Sequence, residues 1–263
     1  MDGILLVDKP RGKTSHDVVD AVRRERGERR AGHAGTLDPL ATGLLIVALG
    51  KALRLVEYLQ DHSKTYEFEV ELGILTETDD AEGARTEERP VPPKAELEAA
   101  AARLVGEIDQ RPPRYSAVKV GGRRLYQYAR AGKEVDAPPR RVTVSELALL
   151  SYEAPRARFR VRGGKGLYVR SIARDLGGHV TELRRTAVGP FRVEAAGPEL
   201  LPVDAAVRHL PEVRLSETEE ADFVNGRLVE KHVGGIVRVY RDERFLGVGE
   251  PSEAGMKPKK VLV

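Results

Sequence analysis

An α+β chain with a small β-rich tail is the class that the order of elements fits, and three stretches carry that reading. Residues 65–73 alternate, with Tyr66, Phe68, Val70 and Leu72 on one face and Glu67, Glu69 and Glu71 on the other, which is the pattern of a half-buried strand. Residues 94–108, KAELEAAAARLVGEI, form a helical run. After Pro211 a short helix at residues 216–223 precedes two strand candidates, IVRVYR and RFLGVGE, joined by a polar turn.

The remaining elements follow in chain order. Residues 3–8 make a short apolar strand. The turn KPRGKTS follows, with Thr14 or Ser15 placed to cap a helix whose Val18, Val19 and Val22 share a face. GHAGTLDPLATG is a loop punctuated by glycine, and the LLIVALG behind it is a buried apolar run. An acidic, proline-containing linker at residues 86–93 leads into the 94–108 helix. Residues 142–152 and 156–162 read as strands, the GGKG after them as a turn, and residues 168–185 as a helix. This organisation predicts one large domain over residues 1–210, carrying an insertion at 111–141, and a small domain over 211–263.

At 263 residues, 41% of them hydrophobic, the chain can bury a sizeable core. No apolar run approaches the roughly 20 residues needed to cross a bilayer, and the N-terminus enters GILLVDKP without the pattern of a signal peptide, so a cytoplasmic location is expected. The absence of cysteine removes disulfides, thiolate zinc sites and cysteine nucleophiles, and the six histidines show no metal-binding spacing. Net charge is only +3, yet its distribution is uneven. Residues 61–110 hold five basic and 14 acidic side chains, whereas residues 111–185 hold 18 basic and six acidic. The basic block is interleaved with Tyr115, Tyr126, Tyr128, Phe159 and Tyr168, as a surface that neutralises phosphates and stacks on bases requires. A solvated charged face on a heat-adapted protein has the same composition.

Two glycine-lysine stretches invite a nucleotide-binding reading and fail it. The first glycine of a GxxxxGK[ST] loop would fall at Val7, so Lys13 and Thr14 lack the backbone cradle that phosphates need, and GGKG at residues 163–166 is too loose. The loop from His33 to Gly43 is more constrained. Pro39 biases Asp38 away from the α region and Gly35 and Gly43 allow tight backbone on either side, which can hold one carboxylate rigidly beside the core. An Asp-Pro pair by itself is most often only a turn.

GHAGTLDPLATG resembles the catalytic motif of the bacterial TruB-type family of tRNA pseudouridine synthases, and further matches follow in family order over nearly the whole chain. They are GILLVDKPRGKTS, KTYEFEVELG, TDDAEG, RPPRYSAVKVGGRRLYQYAR, GKGLYVRSIARDLG and LRRTAVGPF. The resemblance implies a pseudouridine synthase fold, with a central, largely antiparallel mixed sheet flanked by helices and a small PUA-like C-terminal domain. It implies isomerisation of uridine 55 in the T loop of tRNA, with the base flipped out of its stack, and Asp38 as the catalytic carboxylate. Arg170 in GLYVRS matches the cationic partner of that carboxylate, and Tyr66 the tyrosine that stacks on the target base. His33 matches a residue that holds the opened T loop, Asp80 a pocket acid and Leu183 an apolar wall of the uracil pocket. Tyr168 of GLYVRS and Lys9 of the KP element join the substrate-binding set. Arg114, Lys119, Arg123, Arg124 and Arg141 are candidates for RNA phosphates. No metal or organic cofactor is needed for a redox-neutral isomerisation. The expected partner is the tRNA T arm, met by a monomer without guide RNA or membrane. The connection between the DLG and LRR motifs is shorter than bacterial members usually have, and the tail after Pro211 is short for the PUA-like module that the family often carries.

Overall fold

The computed structural model describes residues 1–133, 135 and 137–263, with the side chain of Arg130 left aside. Glu134 and Asp136, inside the expected 111–141 insertion, lie outside the described residues.

The chain opens with β1 (Gly3–Lys9) and α1 (Ser15–Arg26). Thr14 caps α1 through a reciprocal pair: its hydroxyl accepts from the Asp17 amide, and the Asp17 carboxylate accepts from the Thr14 amide. Val18, Val19 and Val22 are buried against Leu45, Val47 and Leu49, as their spacing predicts. Next come β2 (Ala31–His33), β3 (Thr42–Leu49), α2 (Val56–Asp61), β4 (Lys64–Leu72) and a small hairpin, β5 (Ile74–Thr76) with β6 (Arg85–Glu88).

Two helices are shorter than the sequence predicts. The run at 94–108 divides into α3 (Lys94–Arg103) and β7 (Gly106–Gln110), because Gly106 takes a φ of +108° that no helix accommodates. The insertion contributes β8 (Lys119–Val120), β9 (Arg123–Arg124) and α4 (Leu125–Arg130), and is followed by β10 (Arg140–Glu153) and β11 (Arg156–Gly163). The helix expected at 168–185 stops as α5 (Val169–Asp175), and β12 (Gly178–Val188) replaces its second half. Gly177 breaks the helix at φ +88°, and Gly178 lies so close to β4 that a Cβ there would sit 2.3 Å from the Glu71 carbonyl oxygen. β13 (Phe191–Arg192) and β14 (Leu200–Leu201) complete the large sheet.

That sheet has ten strands, in the order β14-β1-β3-β12-β4-β11-β10-β7, with β2 on β3 and β13 on β12. Every pairing is antiparallel except β3 with β12, a parallel seam only two residue pairs long, Arg184 with Thr42 and Arg185 with Gly43. The seam joins two antiparallel halves, and each half has its own apolar cluster. One is built on Ile4, Leu44, Ile46 and Leu59, the other on Phe68, Val70, Phe159 and Ile172.

The C-terminal segment forms a separate sheet in the order β15 (Glu212–Arg214), β16 (Val237–Arg241), β17 (Arg244–Ser252) and β18 (Gly255–Val261), beside α6 (Glu217–Val224). Leu215, Phe223, Val239, Leu246 and Met256 give it a core of its own. Val248 and Leu262 instead join the cluster around Leu59, so the small sheet docks on the large one through buried apolar side chains, each contributing roughly 1.5–3 kcal/mol.

Near that junction the His62 ring meets His209 edge-on at 4.5 Å and Phe191 at 6.4 Å. Burial pushes both histidines below their ordinary 6.5, and for His62 the neighbouring His209 and Lys64 add to the shift. The folded state therefore holds these protons less tightly than the unfolded chain, so stability is complete above 6.5 and is lost as pH falls through that value. The melting temperature should fall between about pH 7.5 and pH 5.5, and His209→Gln should shrink that fall. An equal fall in the variant would place the sensitivity at other groups.

Candidate active site

The Asp38 loop leaves β2 and enters β3 at the parallel seam, so it lies where the two halves of the sheet meet. Leu37, Leu40 and Ala41 point inward and join the cluster of Phe68, Val161 and Leu183, with Tyr66 and Leu167 packed against its edge. Between these anchors Asp38 is left facing out, its side chain 36% exposed. Its carbonyl accepts from the Ala41 amide at 3.1 Å, a turn of the kind that the Asp-Pro pair favours.

The loop is braced from behind at several points. The Ser15 hydroxyl donates to the Leu37 carbonyl at 3.1 Å and accepts from the Leu37 amide at 2.8 Å. The Gly12 amide donates to the Pro39 carbonyl at 2.7 Å. Lys9 is fully buried, and its ammonium donates to the carbonyls of Pro10, Lys13 and Pro39. Burial lowers its pKa while the Asp38 carboxylate acts in the opposite direction. The Lys9 expected among substrate-binding residues thus sits beneath the loop and supports it.

Arg170 supplies the electrostatic centre. Its side chain is 5% exposed, and its Nη2 lies 2.9 Å from Asp38 Oδ2. Nη1 lies 3.4 Å from Asp80 Oδ2, which is equally buried. The same guanidinium donates to the Thr78 carbonyl at 2.9 Å and the Tyr115 carbonyl at 3.0 Å. One turn along α5, Arg174 pairs with Asp79 at 3.0 Å and donates to the Arg111 carbonyl at 2.9 Å. Helical i, i+4 spacing thus aims two arginines at two successive acids. Asp79 holds a φ of +60°, a conformation that aspartate tolerates, and burial raises its pKa against the opposing pull of Arg174.

The other expected site residues distribute as follows. Tyr168 caps α5, and its backbone exchanges two hydrogen bonds with the Gln110 side chain, at 3.1 and 2.8 Å. Burial raises its phenol pKa, and the Asp38 charge contributes to the shift. Tyr66 and Leu183 lie on the paired strands β4 and β12. Leu183 is a strand residue there, and it lines a cavity of about 220 Å³ together with Leu40, Thr42 and Phe68. His33 is half-buried at the end of β2, and burial followed by the charge of Arg185 lowers its pKa.

Arg114, Lys119, Arg123, Arg124 and Arg141 are all exposed. All of them fall within the 111–141 insertion, whose small core of Val118, Leu125 and Ala137 packs against Tyr168. Arg141 lies within 4.0 Å of both Glu107 and Asp109.

Part of the basic block does not face solvent as free charge. On β11, Arg156, Arg158 and Arg160 stand opposite Glu71, Glu69 and Glu67 of β4, and pair with Glu69, Glu182 and Glu146. Arg156 thus joins the acidic segment counted along the sequence to the basic one, while Glu182 and Glu146 meet arginines of their own segment. Arg185 is a residue that the motifs do not single out: it is 1% exposed and donates to the carbonyls of Gly35, Thr36 and Leu44. Its sign in the sequence is the alternation Leu183, Arg185, Ala187, legible only once the segment is read as a strand.

The family model described as TruB family pseudouridylate synthase (N terminal domain) matches residues 23–169, and that of pseudouridine synthase II TruB, C-terminal, matches residues 211–262. The chain belongs to the TruB family of pseudouridylate synthases. A protein of Aromatoleum aromaticum named tRNA pseudouridine synthase B is 45% identical over all of this chain and 93% of its own length. One of the same name from Geobacillus kaustophilus is 46% identical over 87% of this chain and 91% of its own. Among solved structures, a crystal structure of a Cbf5-Nop10-Gar1 complex superposes with a TM-score of 0.75 at 26% identity, covering 99% of this chain and 85% of the other. TruB membership makes the chain an isomerase and agrees with the mixed sheet and the separate small C-terminal sheet. Among the described residues no helix is long and apolar enough to cross a membrane.

Arg170 makes four contacts from one planar fork, which a lysine ammonium cannot reproduce. Arg170→Lys should slow pseudouridine formation at least about 100-fold in single turnover while RNA affinity changes by less than about tenfold. Normal turnover in the lysine variant would reduce Arg170 to a structural cation.

Proposed function

We propose that this chain converts uridine 55 in the T loop of tRNA to pseudouridine, with Asp38 as the residue that starts the reaction. The observation that carries the reading is the Asp38–Arg170 pair: a partly exposed carboxylate held 2.9 Å from a guanidinium that is itself buried. The reaction breaks the N1–C1′ bond, turns the uracil, joins C5 to C1′ and moves the C5 hydrogen to nitrogen as a proton, so nothing is gained or lost. Asp38 acts on the ribose or the base, or assists elimination, and Arg170 keeps its charge compensated and its oxygen aimed. The extruded base is received between Tyr66 and Leu183, where stacking and apolar contact offset an unstacking cost of a few kcal/mol. His33 helps hold the opened T loop, Tyr168 joins the substrate-binding set, and Asp80 holds the second edge of Arg170.

The division of labour follows the two sheets. Residues 1–210 are the catalytic domain and residues 211–263 a PUA-like RNA-binding module, with the 111–141 insertion closing on the T arm. On this reading the protein is a cytoplasmic monomer, and it needs no guide RNA because the insertion supplies from its own chain the cations that hold the substrate.

Two measurements test this. Unmodified tRNA incubated with the protein and mapped at nucleotide resolution should show pseudouridine in the T loop, and Asp38→Asn should abolish it while binding stays within about tenfold, since phosphate contacts supply most of the affinity. Turnover near that of the unsubstituted protein would remove Asp38 from the mechanism. Replacing Arg123 and Arg124 together with alanine should lower the slope of log affinity against log salt by about 0.7–0.9 for each phosphate that the variant no longer neutralises, at unchanged melting temperature. An unchanged slope would show these two to be solvated surface charge.

A further inference from the structure

Arg185 is a buried cation placed where the two halves of the sheet meet. β12 sets it beside Gly43 of β3 on one side and Tyr66 of β4 on the other. The approach to β3 is so close that a Cβ on Gly43, at φ +99°, would lie 2.3 Å from the Arg185 carbonyl oxygen. From there the guanidinium reaches both ends of the Asp38 loop. Nη2 donates to the Gly35 carbonyl at 3.2 Å and Nη1 to the Thr36 carbonyl at 3.4 Å, ahead of Asp38, and Nε donates to the Leu44 carbonyl at 2.7 Å, behind it.

No ion pair of Arg185 occurs among the described residues. Among those residues its guanidinium hydrogen-bonds carbonyl oxygens, and its field lowers the proton affinity of Lys9, His33 and Lys64 around it. Holding a cation in such a place is expensive unless the geometry it imposes is needed. An apolar residue would fill the space without that cost, but it would leave three carbonyls without a shared donor and the two ends of the loop unlinked.

We propose that Arg185 is the positioning residue of the catalytic loop: by clasping Gly35, Thr36 and Leu44 with one rigid group, it sets where Asp38 stands relative to Arg170 and the bound nucleotide. The inference rests on the proposed role of Asp38. Arg185 touches no substrate in this arrangement and acts through the backbone. Its removal should therefore change the rate of the chemical step and leave the affinity for RNA as it was.

The test is Arg185→Lys, which keeps the charge but cannot bridge both ends of the loop, with Arg185→Gln as a second variant of neutral charge. Unmodified tRNA is the substrate, and single-turnover rate, KM and thermal melting are measured on the full chain. The expected result is a rate constant lower by about 10- to 100-fold in the lysine variant, as misplacement of a reacting group by about 1 Å produces, with KM within about threefold and melting preserved. An unchanged rate in a normally melting lysine variant overturns the proposal. So does a loss of rate that tracks a loss of folded protein in both variants, since that is the mark of a purely structural cation. The unsubstituted protein separates the two claims: if it forms no pseudouridine in tRNA, the functional reading has failed, whereas activity there combined with undiminished activity in the variants defeats only the role of Arg185.

Discussion

The site depends on one buried guanidinium. Arg170 binds the carboxylates of Asp38 and Asp80 and the carbonyls of Thr78 and Tyr115, so three segments distant in the chain converge on a single planar group. Taking a cation out of water costs several kcal/mol, and only this full set of partners offsets it. The dependence runs both ways. The turn at Asp79 and Asp80, the entry to the insertion at Tyr115 and the Asp38 loop each require the arginine, and it requires them. α5 is only seven residues long, yet its position is fixed by these contacts and by the neighbouring Arg174–Asp79 pair.

A second layer of support lies under the loop. Lys9, Ser15 and Arg185 come from β1, α1 and β12, and each meets the loop backbone. Backbone contacts constrain position whatever side chain the loop carries, so the frame is separable from the chemistry of Asp38. The ion pair aims the carboxylate, and the frame sets where the carboxylate begins.

Much of this is legible in the sequence. The valines of α1, the alternation in β4, the cap at Thr14 and the short helix after Leu215 follow from local rules, and the structure has them as expected. The order of the motifs points to the family. The failures share one cause. Residues 106–108 and 178–185 are strands attached to runs that begin as helices, and nothing local marks the glycines between them as the point of change. Whether such a segment continues as helix or pairs as strand depends on a neighbour far away in sequence: β10 for the first, β3 and β4 for the second. Local periodicity holds no record of that neighbour. The same limit hides Arg185, a charged residue on an inward strand face, and it hides the pairing of the acidic β4 with the basic β11.

That pairing has a consequence for how the protein meets a polyanion. The arginines of β11 are met by carboxylates of β4, β10 and β12, which weakens their field in solvent, where screening already limits it to about 8 Å at physiological salt. The exposed cations at Lys119, Arg123 and Arg124 stand on the insertion, away from that ladder. Charges paired as on β11 steer a polyanion more weakly than cations that stand apart from acids. Glu69 of β4, Glu182 of β12 and Glu146 of β10 tie up the arginines of β11, and less of their charge is left to draw a polyanion onto that face of the sheet.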